Sequence, residues 1–108
     1  MGNTGFHLED RTSQERWRRH LLSKGGQVAK ALEDILAGKD VRLEDLPLTG
    51  KAGEDAETRA RIFLARIDRA IKAVGTRRFG RCKVCGIPLA GAVLDERPWE
   101  ERCLEHAH

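Results

Sequence analysis

The chain is short of the residues that build a large core. Its 108 residues include two Trp, three Phe, no Tyr and one Met, while 34% are charged. That stock suits one small domain, or a helical element joined to a mini-domain, and excludes a fold that needs an extensive apolar interior. No stretch approaches the ~20 apolar residues of a membrane-spanning helix, and Met1 to Asp10 lacks the apolar run of a secretory leader. The expectation is a soluble cytoplasmic protein with no membrane partner. Cysteine is scarce and odd in number, at three. Any disulfide scheme leaves one thiol over, and a reducing compartment favours metal ligation or redox chemistry over crosslinks. An excess of one charge is nearly lacking too: 20 Lys and Arg against 17 Asp and Glu give a formal +3. Phosphate-rich or acidic partners are permitted by that balance and not demanded by it.

What is present is first a pair of helical periods. Thr12 or Ser13, with Glu15 or Arg16 behind it, forms a helix start, because a small hydroxyl can accept from orphan N–H groups. Trp17, Leu21, Gly25, Val28, Leu32 and Ile35 then fall in steps of three and four, one stripe of a long helix. Gly25 and Gly26 each cost about 1 kcal/mol against alanine inside a helix, so either the helix bends there or a neighbour approaches its backbone closely. Gly38 suits the end of this helix. The stretch from Lys39 to Gly53 has no sustained period and reads as a loop or tip. A second stripe runs through Ala60, Leu64, Ile67, Ile71 and Val74, with Ile62 and Phe63 beside it, and Gly75 closes it. Two such helices, each with a stripe it cannot bury alone, pack as an antiparallel hairpin at about 20°. Leu43, Leu46 and Leu48 are placed to cover the open end of the seam. The fold class expected is mainly α: a coiled-coil-like hairpin over residues 11–76, with its tip at 38–54. A flexible lead-in at 1–10 precedes it and a small module at 77–108 follows.

The module carries the chemistry. Cys82 and Cys85 form a C-x2-C knuckle, 17 residues intervene, and Cys103 and His106 form C-x2-H. Zinc takes four tetrahedral N or S ligands, and two short knuckles separated by a loop of this size supply them. His108 competes with His106 for the fourth position. Gly86 stands where a turn closing around a metal needs positive φ. Val84, Ile87, Leu89, Val93, Leu94 and Trp99 are too few apolar residues to fold thirty residues by burial alone, so one structural Zn²⁺ would provide the missing free energy. A redox C-x2-C lacks its usual βαβ surroundings, and an iron–sulfur site would ask for a fourth cysteine.

Arg77, Arg78, Arg81 and Lys83 make a basic cluster at the module's threshold. It suits nucleic-acid phosphates, an acidic protein surface, or simply the negative end of a helix. Phe79 and Trp99 could stack on bases or pack inward. Arg16, Arg18 and Arg19 read as a solvated helix face, and His7 and His20 as ordinary surface residues.

The segment "FGRCKVCGIPLAGAVLDERPWEERC" resembles the zinc finger of the DksA/TraR family of bacterial transcription regulators. It shares the Phe79-Gly80 lead into the first knuckle, the Cys85-Gly86 exit, Leu94 in an apolar-polar loop, and Arg97-Pro98. "ARIDRAIKAVGTRRFGRC" resembles the helix that feeds the finger in that family. The resemblance covers roughly the last 45 residues, with His106 where the family's commonest pattern has a fourth cysteine. It implies a helical hairpin that enters the secondary channel of bacterial RNA polymerase core, with acidic residues at its tip. The family's Asp-x-x-Asp-x-Ala tip motif does not occur between Lys39 and Ala60. Asp40, Glu44 and Asp45 are the candidate tip contacts instead, while Glu54, Asp55 and Glu57 also suit the positive N-terminal end of the second helix.

The expected function is therefore a zinc-binding transcription regulator that acts as a monomer through protein contacts, with direct nucleic-acid contact secondary. The alternatives are a nucleic-acid-binding finger that uses Arg77, Arg78 and Arg81, or a self-associating helical adaptor capped by its metal site. An enzyme is not expected, since there is no paired nucleophile and base, no phosphate-cradling glycine loop, and the metal site is closed.

Overall fold

The computed structural model describes residues 10–42 and 55–106. Its first element is α1 (Arg11–Leu36), followed by α2 (Ala56–Ala73), the short α3 (Gly91–Glu96) and a final 3-10 turn (Leu104–His106).

The start of α1 differs from the sequence expectation. Asp10 is the cap: its carboxylate accepts from the Ser13 backbone N–H at 3.2 Å and from the Ser13 hydroxyl at 3.0 Å. These two contacts hold the Asp10 carboxyl below its ordinary range, the Ser13 hydroxyl foremost. Ser13 is thereby free to be buried inside the first turn. The other end follows expectation. The Lys39 N–H reaches the Asp34 carbonyl and the Gly38 N–H reaches that of Ile35, with Gly38 at φ +80. This paired closure needs a left-handed residue, which glycine adopts without strain.

The helix runs through Gly25 and Gly26 without interruption over 26 residues, about 39 Å at 1.5 Å per residue. The reason for the first glycine is an approach from α2: a Cβ at Gly25 would lie 3.1 Å from the Ile67 Cγ2. Gly26 has nothing within 4 Å of such a position. Trp17, Leu21, Val28 and Ala31 of α1 are buried, as are Ala60, Phe63 and Ile67 of α2. The centre of the second stripe is thus Phe63, which is fully buried, while Leu64 and Ile71 lie half-buried beside it. An aromatic ring fills more of the seam than Leu64 would, and the helix turns to bring it in. Near the far end of α2, the Arg18 guanidinium of α1 donates to the Val74 carbonyl at 3.3 Å.

Asp55 caps α2, accepting from the Thr58 N–H at 2.7 Å, and Glu57 pairs with Arg61 one turn on at 3.0 Å. Both therefore have structural work at the helix start. Asp40 lies exposed just past α1. Glu44, Asp45, Glu54, the three leucines placed over the seam, His7 and His108 lie outside the described residues.

The core does not stop at the helices. Buried residues from Trp17 through Phe63 to Phe79, Cys82, Leu89, Leu94, Trp99 and Cys103 form one cluster. Trp17 packs on Phe79 with ring centroids 5.3 Å apart, and Trp99 meets Phe63 edge-on at 5.2 Å. No described helix is long and apolar enough to cross a membrane.

Candidate metal centre

Local hydrogen bonding builds each knuckle. In the first, the Leu89 N–H donates to the Gly80 carbonyl at 2.7 Å and the Cys82 N–H to that of Ile87 at 2.9 Å, folding the chain back on itself. The Gly86 N–H returns to the Cys82 carbonyl at 2.8 Å, and Gly86 takes φ +80, as the tight turn requires. The second knuckle is the final 3-10 turn, closed by the His106 N–H on the Cys103 carbonyl at 3.0 Å. A backbone bond helps tie the two together: the Lys83 N–H donates to the Glu101 carbonyl at 2.8 Å.

The result brings Cys82, Cys85, Cys103 and His106 to one point, with their ligand atoms all within 4.8 Å of one another. The Cys85 and Cys103 sulfurs are 3.7 Å apart, and the His106 Nδ1 lies 3.2 Å from the Cys103 sulfur and 3.6 Å from that of Cys82. Ligands at tetrahedral zinc distances would be separated by about 3.5–3.8 Å, so the donor set fits a single ion of that size. No cysteine is in a disulfide.

The thiols are unequal before any cation is considered. Burial raises the Cys82 thiol, but N–H groups of Cys103, Cys85 and Val84 directed at its sulfur outweigh that and bring it down to about 5. At Cys85 the Ile87 N–H acts downward, while desolvation and the neighbouring thiols of Cys103 and Cys82 win and push it up. Thiolates crowded in this way repel one another, and a divalent cation between them removes the repulsion. Cys82 and Cys103 are buried and Cys85 is exposed, so the cluster joins the core on one side and faces solvent on the other.

Ion pairs fasten this module to the helices, and the sequence did not announce them. Glu101 takes the Arg69 guanidinium in a two-point contact at 2.9 and 3.2 Å, with Arg66 and Lys83 also within 3.5 Å. Burial alone would raise the Glu101 carboxyl, but these three cations, Arg69 foremost, hold it below its usual range. The same contact raises Arg69. Arg66 also pairs with Glu100 at 3.1 Å. On the other helix, Asp95 of α3 accepts from Arg16 at 2.8 Å and from the Trp17 indole N–H at 2.9 Å. Arg16 and Arg18 are therefore bridging residues, contrary to the reading of that face as solvated. His20 is likewise no plain surface residue, since it meets Trp99 edge-on at 5.5 Å. Acidic residues at 95, 100 and 101 fall within one charged run, and only the fold selects which basic partner each one meets.

The basic threshold separates into two parts. The Arg81 guanidinium donates to the Arg77 carbonyl at 3.0 Å and the Gly86 carbonyl at 3.2 Å, bracing the first knuckle. The guanidinium groups of Arg77 and Arg78 are exposed and have no hydrogen bond or ion pair among the described residues. Phe79 and Trp99 are 4% and 5% exposed, which removes both rings as platforms for base stacking. Comparison of the chain with protein-family models, curated proteins and solved structures finds no match in any of the three.

Proposed function

We propose that this protein is a zinc-binding regulator of transcription that engages bacterial RNA polymerase core through its secondary channel. The observation that carries the reading is the four-ligand Cys/His cluster seated against the end of a packed helix pair. Three thiolates and an imidazole are a borderline-soft donor set of the kind zinc takes in structural sites. In this reading Cys82, Cys85, Cys103 and His106 hold one Zn²⁺. The ion is a crosslink between the two knuckles, and the closed ligand set gives it no catalytic position. The helices form an antiparallel hairpin, supported by Arg18 of early α1 meeting Val74 just beyond α2.

The end of the hairpin away from the metal would then be the part that reaches into a partner, with Asp40, Glu44 and Asp45 as its acidic contacts. Carboxylates near a catalytic Mg²⁺ or its basic surroundings can shift metal or loop positions. The burial of Phe79 and Trp99 favours protein contact over nucleic-acid binding as the main mode. The protein acts as a cytoplasmic monomer and is not an enzyme.

The test is binding of the zinc-loaded protein to purified bacterial core RNA polymerase, repeated with a known secondary-channel factor as competitor. Saturable binding that the competitor displaces is expected. No binding at micromolar concentration, with zinc content verified, overturns the reading.

A further inference from the structure

Where the last turns of α2 meet the Cys/His module, the surface holds a groove of about 840 Å³. Helix α2 contributes Arg69, Ala70, Lys72 and Ala73 to its lining, and the module contributes Arg78, Arg81 and Lys83 together with Phe79, Pro98 and Trp99. Its charge is lopsided in a way that the chain as a whole is not. Five Lys and Arg line it against two carboxylates, Glu100 and Glu101, an excess of three. The whole chain has 20 basic and 17 acidic residues, so outside the groove fifteen of each sign remain and cancel.

Not all five cations are spoken for. Arg69 and Lys83 share Glu101. Arg81 donates to two neutral carbonyls, which fix its direction and leave its charge uncompensated. Among the described residues Lys72 pairs only with Asp68 one turn away, both highly exposed, an arrangement of little strength in water. Arg78 has no charged partner among the described residues. Between these charges the lining is small and apolar, with the aromatic rings turned into the core and unavailable to a nucleobase.

We propose that this groove is a docking site for an extended acidic segment of a partner protein, its carboxylates meeting Lys72, Arg78 and Arg81 and its small apolar side chains lying along Ala70 and Ala73. Charge complementarity selects the occupant: a groove lined by an excess of cations with small apolar residues among them suits alternating acidic and apolar residues. Nucleic acid would need stacking faces and a longer basic track. The site goes beyond the polymerase reading, because it calls for an acidic segment whichever protein carries it.

The experiment uses the full-length, zinc-loaded protein and three fluorescein-labelled probes: a peptide of repeating Glu-Asp-Leu-Gly, its Gln-Asn-Leu-Gly counterpart, and oligothymidylate. The acidic peptide is expected to bind, to weaken steeply between ~50 and ~300 mM salt, and to lose about fivefold in affinity with Arg78→Glu and again with Lys72→Glu. Lys30→Glu, an equal charge change on exposed α1 outside the groove, should have much the smaller effect. Equal binding of the amide peptide, indifference to Arg78→Glu, or tighter binding of oligothymidylate overturns the proposal. No polymerase takes part, so this outcome and that of the polymerase assay are separate.

Discussion

The helix pair and the C-terminal module solve the same problem with different means. Along α1 and α2 apolar residues are buried against one another: Trp17, Leu21 and Val28 on one side, Ala60, Phe63 and Ile67 on the other. At about 25 cal/mol per Å² of apolar surface removed from water, such a seam is self-supporting once the helices meet. The module has less to work with, because Val84, Ile87 and Leu104 are 55%, 49% and 90% exposed. It keeps Phe79, Leu89, Leu94 and Trp99 inside and adds the four-residue Cys/His cluster and the Glu101 ion pairs. Yet the two regions share one core, which means that the second leans on the first. A metal ion held by the Cys/His cluster would tie two loops that already touch a helical wall.

The largest break in that comparison is loss of the metal-type cluster. Cys103→Ser, or removal of metal by a chelator, is expected to collapse the fold from Phe79 onward while most helical circular dichroism survives. Structural zinc in small modules is worth an apparent ~10–16 kcal/mol at neutral pH, far more than any one contact in the seam. Because Trp99 sits on Phe63 and Trp17 on Phe79, the near-UV tryptophan signal should fall and the helices should melt at a lower temperature. If Cys103→Ser retains its near-UV spectrum and melting point, the cluster is not what orders the module.

Next in size is the seam itself. Phe63→Ala removes a fully buried ring shared by both regions and should cost about 3–5 kcal/mol in denaturant unfolding. Leu64→Ala, at a half-buried neighbour, should cost less than half of that. The reverse order would mean that the stripe is centred on Leu64 after all.

The fastening between regions gives a smaller effect. Glu101→Gln keeps the side-chain shape but leaves Arg66, Arg69 and Lys83 around a neutral acceptor. A loss of about 1–3 kcal/mol is expected, with the module's amides exchanging faster than those of the helix interior. Protection lost equally throughout would show the two regions unfolding as a single unit.

How much of this was legible beforehand depends on the kind of interaction. The Cys/His cluster was readable because knuckle geometry is local: C-x2-C and C-x2-H confine each pair to one turn. The two helices were readable because burial repeats every three to four residues. Phe63 was set beside the stripe and not at its centre because a step rule does not weigh side-chain volume. Asp10 was missed as a cap in favour of Thr12 or Ser13, since the residue types are close in preference and only the contact with Ser13 decides. The partners Arg16 with Asp95 and Arg69 with Glu101 were invisible in principle. They are separated by 79 and 32 residues, and a chain that is 34% charged offers many equally good pairings.

The two adjacent glycines sharpen the comparison at the finest scale, inside one helix turn. Sequence reasoning charges both with the same cost, about 1 kcal/mol each against alanine. The packing separates them. Gly26→Ala meets nothing within 4 Å and should recover that helix propensity, raising stability by about 1 kcal/mol. Gly25→Ala places its methyl 3.1 Å from the Ile67 Cγ2, so Ile67, itself buried, must move before any gain is realised. Its net effect should be near zero or destabilising, by about 1 kcal/mol or more if the helices are forced apart. Denaturant unfolding of the two variants side by side decides it: equal stabilisation would mean that α1 and α2 do not approach closely at Gly25, and that this glycine answers to no neighbour.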